Sequence, residues 1–284
     1  MEIARTIKSV RAMVKAARNQ GRKIGFVPTM GALHVGHISL IETANQQSDF
    51  IVVSIFVNLT QFAPGEDFEK YPRPFENDLK ICRENGVDVV FAPTTKELYG
   101  DENLTWVNVK KLTEPLCGLF RPNHFQGVTT VCAKLFNIVA PDIAFFGQKD
   151  AQQAIVIKRM VADLNMPLEI VICPTVREEN GLAVSSRNKY LTAQQKEDAA
   201  LIFKSLQKCR ELTDSGLVDT RKIIAQMCKI LNQAPSIKIE YISIVDAETL
   251  QALDTAAGAV LAAVAVRIGQ ARLIDNILLD ASKK

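Results

Sequence analysis

Two histidines three residues apart, His34 and His37, stand in the stretch Pro28-Thr-Met-Gly-Ala-Leu-His-Val-Gly-His, in a chain with 3 histidines among 284 residues. The apolar run Ile24–Val27 leads into this stretch, and an amphipathic segment from His37 to about Asn45 leaves it. The local reading is strand, glycine-containing turn, helix start. A helix N-terminus presents unpaired backbone N–H groups and the positive end of the helix dipole, which together favour bound phosphate. Imidazoles there are pushed toward the neutral form and donate hydrogen bonds to phosphate oxygens. The stretch therefore reads as a nucleotide site.

Four further clusters carry chemistry. His124 lies in Arg121-Pro-Asn-His-Phe-Gln-Gly-Val, again a loop running into a helical pattern. Phe56-Val-Asn-Leu-Thr-Gln-Phe sets Asn58 and Gln61 just after an apolar run, and Glu66, Asp67, Glu69, Tyr71 and Arg73 follow as ordinary polar loop or as a mobile flap. Phe146-Gly-Gln-Lys-Asp places Lys149, a point charge suited to phosphate, beside Asp150, which can hold ribose hydroxyls or cap the next helix. Gln152 and Gln153 open that helix. Val184-Ser-Ser-Arg-Asn supplies two hydroxyls and Arg187, able to bind two phosphate oxygens at once. A rival reading joins His34, His37 and His124 in a zinc site, although the pair lacks the acidic base of H-E-x-x-H. Simple capping histidines and exposed turns are the remaining alternatives.

Parallel strands with helices on both faces would position these groups. Lys23–Val27, Phe50–Val57, Val87–Phe91 and Ile143–Phe146 read as buried strands alternating with helical patterns, and ligands of such sheets collect at the carboxyl ends of the strands. His34 and His37, then Asn58 and Gln61, then Gly147–Asp150 follow three such ends, which points to one shared crevice. After Pro174 the pattern changes to two helices, Thr192–Thr213 and Val218–Ala234. Three successive strands follow, Ile237–Asp246, Ala259–Ile268 and Gln270–Leu279. The expected fold class is α/β: a Rossmann-like parallel-sheet N-terminal domain, 1–175, with a smaller α+β C-terminal domain, 176–284, acting as a lid.

Composition narrows the class. A hydrophobic fraction of 48% with 23% charged residues is globular, and 34 Lys+Arg against 31 Asp+Glu with no basic block implies no nucleic-acid groove. The six cysteines, at 82, 117, 132, 173, 209 and 228, form no C-x-x-C pair and read as reduced thiols. The N-terminus lacks the apolar core of a signal peptide, and the longest apolar run, Ala256–Val266, is shorter than the roughly 20 residues that span a bilayer. A soluble, cytoplasmic protein without a membrane partner is the expectation.

Taken in order, these motifs resemble the pantoate–β-alanine ligase family nearly end to end. The resemblance rests on Pro28-Thr-Met-Gly with His34-x-Gly-His37, Phe56-Val-Asn-x-x-Gln61-Phe, Tyr71-Pro-Arg73, and Arg121-Pro-x-His124-Phe-x-Gly-Val. It continues through Phe146-Gly-x-Lys149-Asp150-x-Gln-Gln153, Ser185-Ser-Arg-Asn188 and Ala271-Arg-Leu-Ile-Asp-Asn276. Leu59, Asn123 and Gln148 depart from the commonest residues, Pro, Gly and Glu, without removing a chemical group. The first motif alone is shared with many nucleotidyltransferases and class I tRNA synthetases. An adenylyltransferase remains the runner-up and a non-catalytic nucleotide sensor a third reading.

The resemblance implies an ATP-dependent ligation of pantoate with β-alanine through pantoyl adenylate, releasing pyrophosphate and AMP. It implies that His34 and His37 meet the phosphates, with His37 as proton donor, and that Lys149, Ser185, Ser186 and Arg187 stabilise phosphate charge. ATP would also meet Met30, Gly31, Ala32, Leu33, Val35, Gly36, Gly147, Gln148, Asp150, Val176 and Val184. Met30, Gln61 and Gln153, with Asn58, would hold pantoate, and Gln61 would also serve β-alanine. Mg²⁺ bound to ATP, no metal site of the protein's own, and a homodimer are further implications.

Overall fold

Runs such as Phe50-Ile-Val-Val-Ser-Ile leave no polar face, the pattern of a strand covered by helices on both sides. In the computed structural model, which describes residues 1–63 and 65–282, such runs form the centre of a six-stranded sheet. Its strands are β1 (Glu2–Ala4), β2 (Ile24–Thr29), β3 (Phe50–Ile55), β4 (Val89–Phe91), β5 (Ile143–Gly147) and β6 (Glu169–Cys173). The connecting helices are α1 (Ile7–Asn19), α2 (Val35–Gln47), α3 (Phe75–Glu84), α4 (Thr95–Tyr99), α5 (Cys117–Phe120), α6 (His124–Val139) and α7 (Ala151–Asp163). The order is β1-β4-β3-β2-β5-β6, and every pairing is parallel.

This order places a topological switch between β2 and β5. From β2 the chain steps outward through β3 to β4, then crosses back to β5 on the other side of β2. The carboxyl ends of β3, β2 and β5 are therefore neighbours, and the crevice at such a reversal is where open α/β sheets bind ligands. Leu33, from the turn after β2, and Leu79, from α3, are buried in the same core cluster as Ile41, Val53, Val90 and Phe145. The turn is thus anchored from below by apolar packing.

The chain forms two compact units: residues 1–110, 121–147 and 153–174, and residues 111–120, 148–152 and 175–284. The second holds α8 (Ala193–Asp214), α9 (Thr220–Leu231) and an antiparallel sheet of β7 (Ile237–Asp246), β8 (Ala259–Ile268) and β9 (Ala271–Asp280), in the order β7-β8-β9. Ala and Val fill the middle strand β8, and Val260, Ala262, Val264 and Val266 join Leu206, Ile223 and Met227 in this unit's core. That placement accounts for the long apolar run around 256–266. Among the described residues no helix is long and apolar enough to cross a membrane.

Strands β1 and β6 are additions to the elements expected from sequence. Both are edge strands with a single partner. β1 is three residues long and too short to show a period, whereas Ile170-Val-Ile carried a β-branched signal. The other elements shift by a few residues; β2, for example, runs on to Thr29 and β3 stops at Ile55.

Candidate active site

His34 is the N-cap of α2, in extended conformation, and its position just before the helix proper follows from the turn that precedes it. Its Nδ1 accepts the backbone N–H of Gly36 at 3.2 Å, while Nδ1 of His37 accepts the backbone N–H of His34 at 3.3 Å. This is a capping box built from imidazoles. Because each Nδ1 accepts, the neutral ring carries its proton on Nε2 and presents a donor there. The glycine between them has a spatial reason: a Cβ at Gly36 would lie 3.0 Å from Cε1 and Nδ1 of His34. The ring centroids are 4.1 Å apart.

The turn before His34 is held by a residue that sequence reasoning passed over. Asp78, in the first turn of α3 and 1% exposed, accepts the N–H of Ala32 at 2.9 Å and of Leu33 at 2.8 Å, one on each carboxylate oxygen. Gly31 N donates to Thr29 Oγ1 at 3.1 Å, and Thr29 Oγ1 donates to the carbonyl of Ser54 at 2.7 Å. Gly31 and Ala32 both take left-handed conformations, φ 81° and 51°. A Cβ on Gly31 would meet Asp78 Oδ2 at 2.9 Å, so the carboxylate also excludes any larger residue there. The N–H groups of Ala32 and Leu33 point inward to Asp78, and His34 and His37 beyond them are half-buried. The only local signal was an acidic residue in a helix first turn, which does not reveal a partner 46 residues away.

A second network orients Gln61, in the 3₁₀ turn Leu59–Gln61 that follows β3. Asn58, 1% exposed, donates from Nδ2 to Gln61 Oε1 at 3.1 Å and to the carbonyl of Gly127 at 3.2 Å. Its Oδ1 accepts from Tyr99 at 2.8 Å and from Thr60 at 2.9 Å. Burial holds the Tyr99 phenol above its ordinary pKa, which keeps it a donor. The backbone carbonyl cannot donate, so the amide orientation of Asn58 is set, and with it that of Gln61, whose Nε2 meets Met30 Sδ at 3.1 Å.

His124 belongs to this network through its neighbours. Its Nδ1 donates to the carbonyl of Gln61 at 2.8 Å, and its Nε2 accepts from Arg121 at 3.0 Å. Arg121 forms a two-pronged pair with Glu66, Nε to Oε1 and Nη2 to Oε2, each at 2.7 Å. Burial pushes the Glu66 carboxyl up, but the Arg121 guanidinium and the Ala63 N–H together hold it below the usual range. A guanidinium stands where a metal bound by His124 would have to sit. Among the described residues no group of three or more His, Cys, Asp or Glu could hold a metal ion. Asn123, the departure from glycine, takes a left-handed conformation, φ 64°, which Asn tolerates better than other side chains.

The other expected groups are divided between the units, Gly147 and Gln153 in the first and the rest in the second. Gln148, Lys149 and Asp150 form a 3₁₀ turn, with Lys149 Nζ 3.7 Å from Asp150 Oδ2. Val176 and Val184 face each other in a short hairpin, with Val184 N donating to the carbonyl of Val176 at 3.0 Å. Ser185 caps the 3₁₀ turn Ser186–Tyr190 by accepting the N–H of Arg187 at 3.3 Å. Gln152 donates to the carbonyls of Leu112 and Pro115, a structural role, while Gln153 is half-buried in the first turn of α7. Gly147, at the end of β5, has nothing within 4 Å of a built Cβ, so its backbone lies open.

A profile of the family described as pantoate-beta-alanine ligase matches residues 2–278. The chain is 51% identical over 280 residues to the pantothenate synthetase of Acetivibrio thermocellus, covering 99% of this chain and 100% of that protein. It is 52% identical over 282 residues to that of Moorella thermoacetica, again covering 99% and 100%. The crystal structure of pantothenate synthetase from Thermus thermophilus has a TM-score of 0.93 at 42% identity, covering 99% of each chain. The pantoate-beta-alanine ligase from Francisella tularensis, solved with beta-gamma ATP and beta-alanine, has a TM-score of 0.79 at 38% identity, covering 99% and 100%.

Proposed function

This chain belongs to the pantoate–β-alanine ligase family, and from that premise we propose how its residues carry out the family's reaction. The chain condenses pantoate with β-alanine at the expense of ATP. In the first step a carboxylate oxygen of pantoate attacks the α-phosphorus, the bond to the bridging oxygen breaks, and pyrophosphate leaves. In the second the amine of β-alanine attacks the acyl carbon of pantoyl adenylate, AMP leaves and the amide forms with loss of a proton from nitrogen.

The observation that carries the residue assignment is the imidazole capping box at the carboxyl end of β2. Two Nε2–H donors held by their own helix need no reorganisation as charge gathers on the phosphate oxygens, which is the economical way to stabilise it. His34 and His37 are proposed to serve there, His37 as proton donor, with Met30, Gly31, Ala32, Leu33, Val35 and Gly36 forming the turn around the nucleotide. Lys149, Ser185, Ser186 and Arg187 are proposed to stabilise phosphate charge. Gly147, Gln148, Asp150, Val176 and Val184 are proposed to meet the rest of ATP. Gln61 and Gln153 are proposed to bind pantoate beside Met30, and Gln61 to guide β-alanine. Asn58 is proposed to act through Gln61, since its amide is committed to protein partners.

Mg²⁺ is proposed to arrive on ATP, where bridging phosphate oxygens is its usual work. A cytoplasmic location is supported by six free cysteines. A homodimer is supported by Leu104 and Trp106, 80% and 43% exposed. Trp106 is the chain's single tryptophan, so its fluorescence on dilution reports association.

The test is product analysis with purified protein, ATP, Mg²⁺ and pantoate, with and without β-alanine. Pantoate-dependent pyrophosphate, followed by AMP and pantothenate once β-alanine is added, is the expected result. Folded protein that releases no pantoate-dependent pyrophosphate would overturn the reading.

A further inference from the structure

The motif Ala271-Arg-Leu-Ile-Asp-Asn276 carries no substrate role in the assignment above, yet its last two residues, in β9, are buried polar side chains. Asn276 Nδ2 donates to the carbonyl of Gln148 at 2.9 Å and to that of Lys149 at 3.0 Å, while its Oδ1 accepts from Gln148 Nε2 at 2.8 Å. Those two carbonyls belong to the peptide planes on either side of the Lys149 Cα. Holding both planes sets φ and ψ of Lys149 and hence the direction in which its side chain leaves the backbone.

Asp275 does the corresponding work for the other phosphate-directed cluster. Its carboxylate, 3% exposed on the side chain, takes Arg177 in two prongs at 2.5 and 3.0 Å, and it also accepts the N–H of Asn276 at 2.8 Å. Arg177 in turn donates to the carbonyl of Gly181 at 3.1 Å and lies 3.8 Å over the Phe203 ring. Arg177 pairs with Ala183 in the hairpin that leads into Ser185–Arg187. Successive side chains of a strand leave opposite faces, so adjacent residues of β9 can address two different loops.

We propose that Asn276 is a positioning residue for adenylation that acts through Lys149, and that Asp275 beside it sets the 176–187 loop through Arg177, so that one strand register fixes both clusters against each other. The inference rests on the assignment of Lys149 to phosphate, and the test separates the two. Pantoate-dependent exchange of pyrophosphate into ATP is measured for Lys149→Ala, Asn276→Ala and the double variant. A displacement of about an ångström in a charged group can cost up to roughly 10² in rate, so Asn276→Ala is expected to lower kcat by roughly 10-fold or more. The ATP KM is expected to stay within about threefold, because uniform binding is not what is lost.

The decisive readout is coupling. With Lys149 already misplaced, Lys149→Ala in the Asn276→Ala background is expected to add little, whereas independent effects would multiply. If Lys149→Ala alone leaves exchange unchanged, the assignment of Lys149 fails. If Lys149→Ala is damaging and folded Asn276→Ala is not, or the two effects multiply, the positioning role fails. Should Asn276→Ala not fold, Asn276→Asp, which keeps the volume but turns an oxygen toward both carbonyls, is judged by the same criteria. Failure of both to fold would reduce Asn276 to a stability residue and equally overturn the proposal.

Discussion

His34 and His37 cap one helix through each other, each using Nδ1 as acceptor for a backbone N–H of the same turn. One nitrogen of each ring thus serves the helix start, and the proposed chemical role falls to the other. Asparagine imitates the near nitrogen of histidine and lacks the far one. His37→Asn is therefore expected to keep the thermal midpoint nearly unchanged while lowering adenylation by roughly 10² or more. Pyrophosphate exchange together with a melting curve checks both halves, and near wild-type exchange would remove His37 from the mechanism.

Asp78 is expected to matter as much as the residues it supports. Asp78→Asn keeps the shape but sets an NH₂ against one of two inward N–H groups, in a place where water does not compensate. A loss of about 2 kcal/mol in stability is expected, of the size usual for a buried charge-assisted hydrogen bond. Adenylation should fall with it, because the turn carrying His34 loses its anchor. Denaturant titration at fixed pH measures the first effect. An unchanged exchange rate in the folded variant would confine Asp78 to stability.

Gly127 sits inside α6, where alanine would ordinarily add up to about 1 kcal/mol of helix stability. Here a Cβ would stand 2.4 Å from the Thr60 carbonyl oxygen and 2.7 Å from the Gln61 nitrogen. These are backbone atoms that cannot swing aside, so the clash outweighs the propensity. Gly127→Ala is expected to destabilise the chain and raise the KM for pantoate by pushing the turn that carries Gln61. A KM that does not move would show that Gln61 lies outside the pantoate site.

The pair between Arg121 and Glu66 gives this loop a sign with respect to pH. The carboxyl is held below the usual glutamate range, so its contribution to stability is present above that range and is lost as pH falls through the folded value. Glu66→Gln should therefore be less stable than the parent near pH 7. The gap should narrow as pH falls below about 4 and close only below the folded value, where the parent carboxyl is protonated as well. Chemical denaturation across that interval tests it, and a gap independent of pH would refute the ionic origin.

Burial pushes Cys132 up to about 12 and Cys209 up to about 11, and burial with the nearby Asp78 charge pushes Cys82 up to about 12. A thiol that does not ionise does not attack a disulfide reagent. Native protein near pH 8 is expected to leave these three unmodified while the partly exposed Cys228 reacts. All six should titrate after unfolding in denaturant.

Much of this was legible because it is local. The apolar runs Ile24–Val27 and Phe50–Ile55, the helix start at His34, and the Thr192 cap with Gln195 three residues on are set by neighbours along the chain. The sequence by itself determined the class of fold, the clusters after β2, β3 and β5, and, through the order of its motifs, the family. Tertiary structure decided which groups hold those clusters in place. Asp78 reaches Leu33 across 45 residues, Arg121 reaches Glu66 across 55, and Asn276 reaches Lys149 across 127. Nothing periodic announces such pairs. Those of Asp78 and Asn276 exist because buried backbone N–H and C=O groups of a turn must find partners, that of Arg121 because a charge taken out of water must find its opposite, and the residues near enough to serve are chosen by how the strands stack.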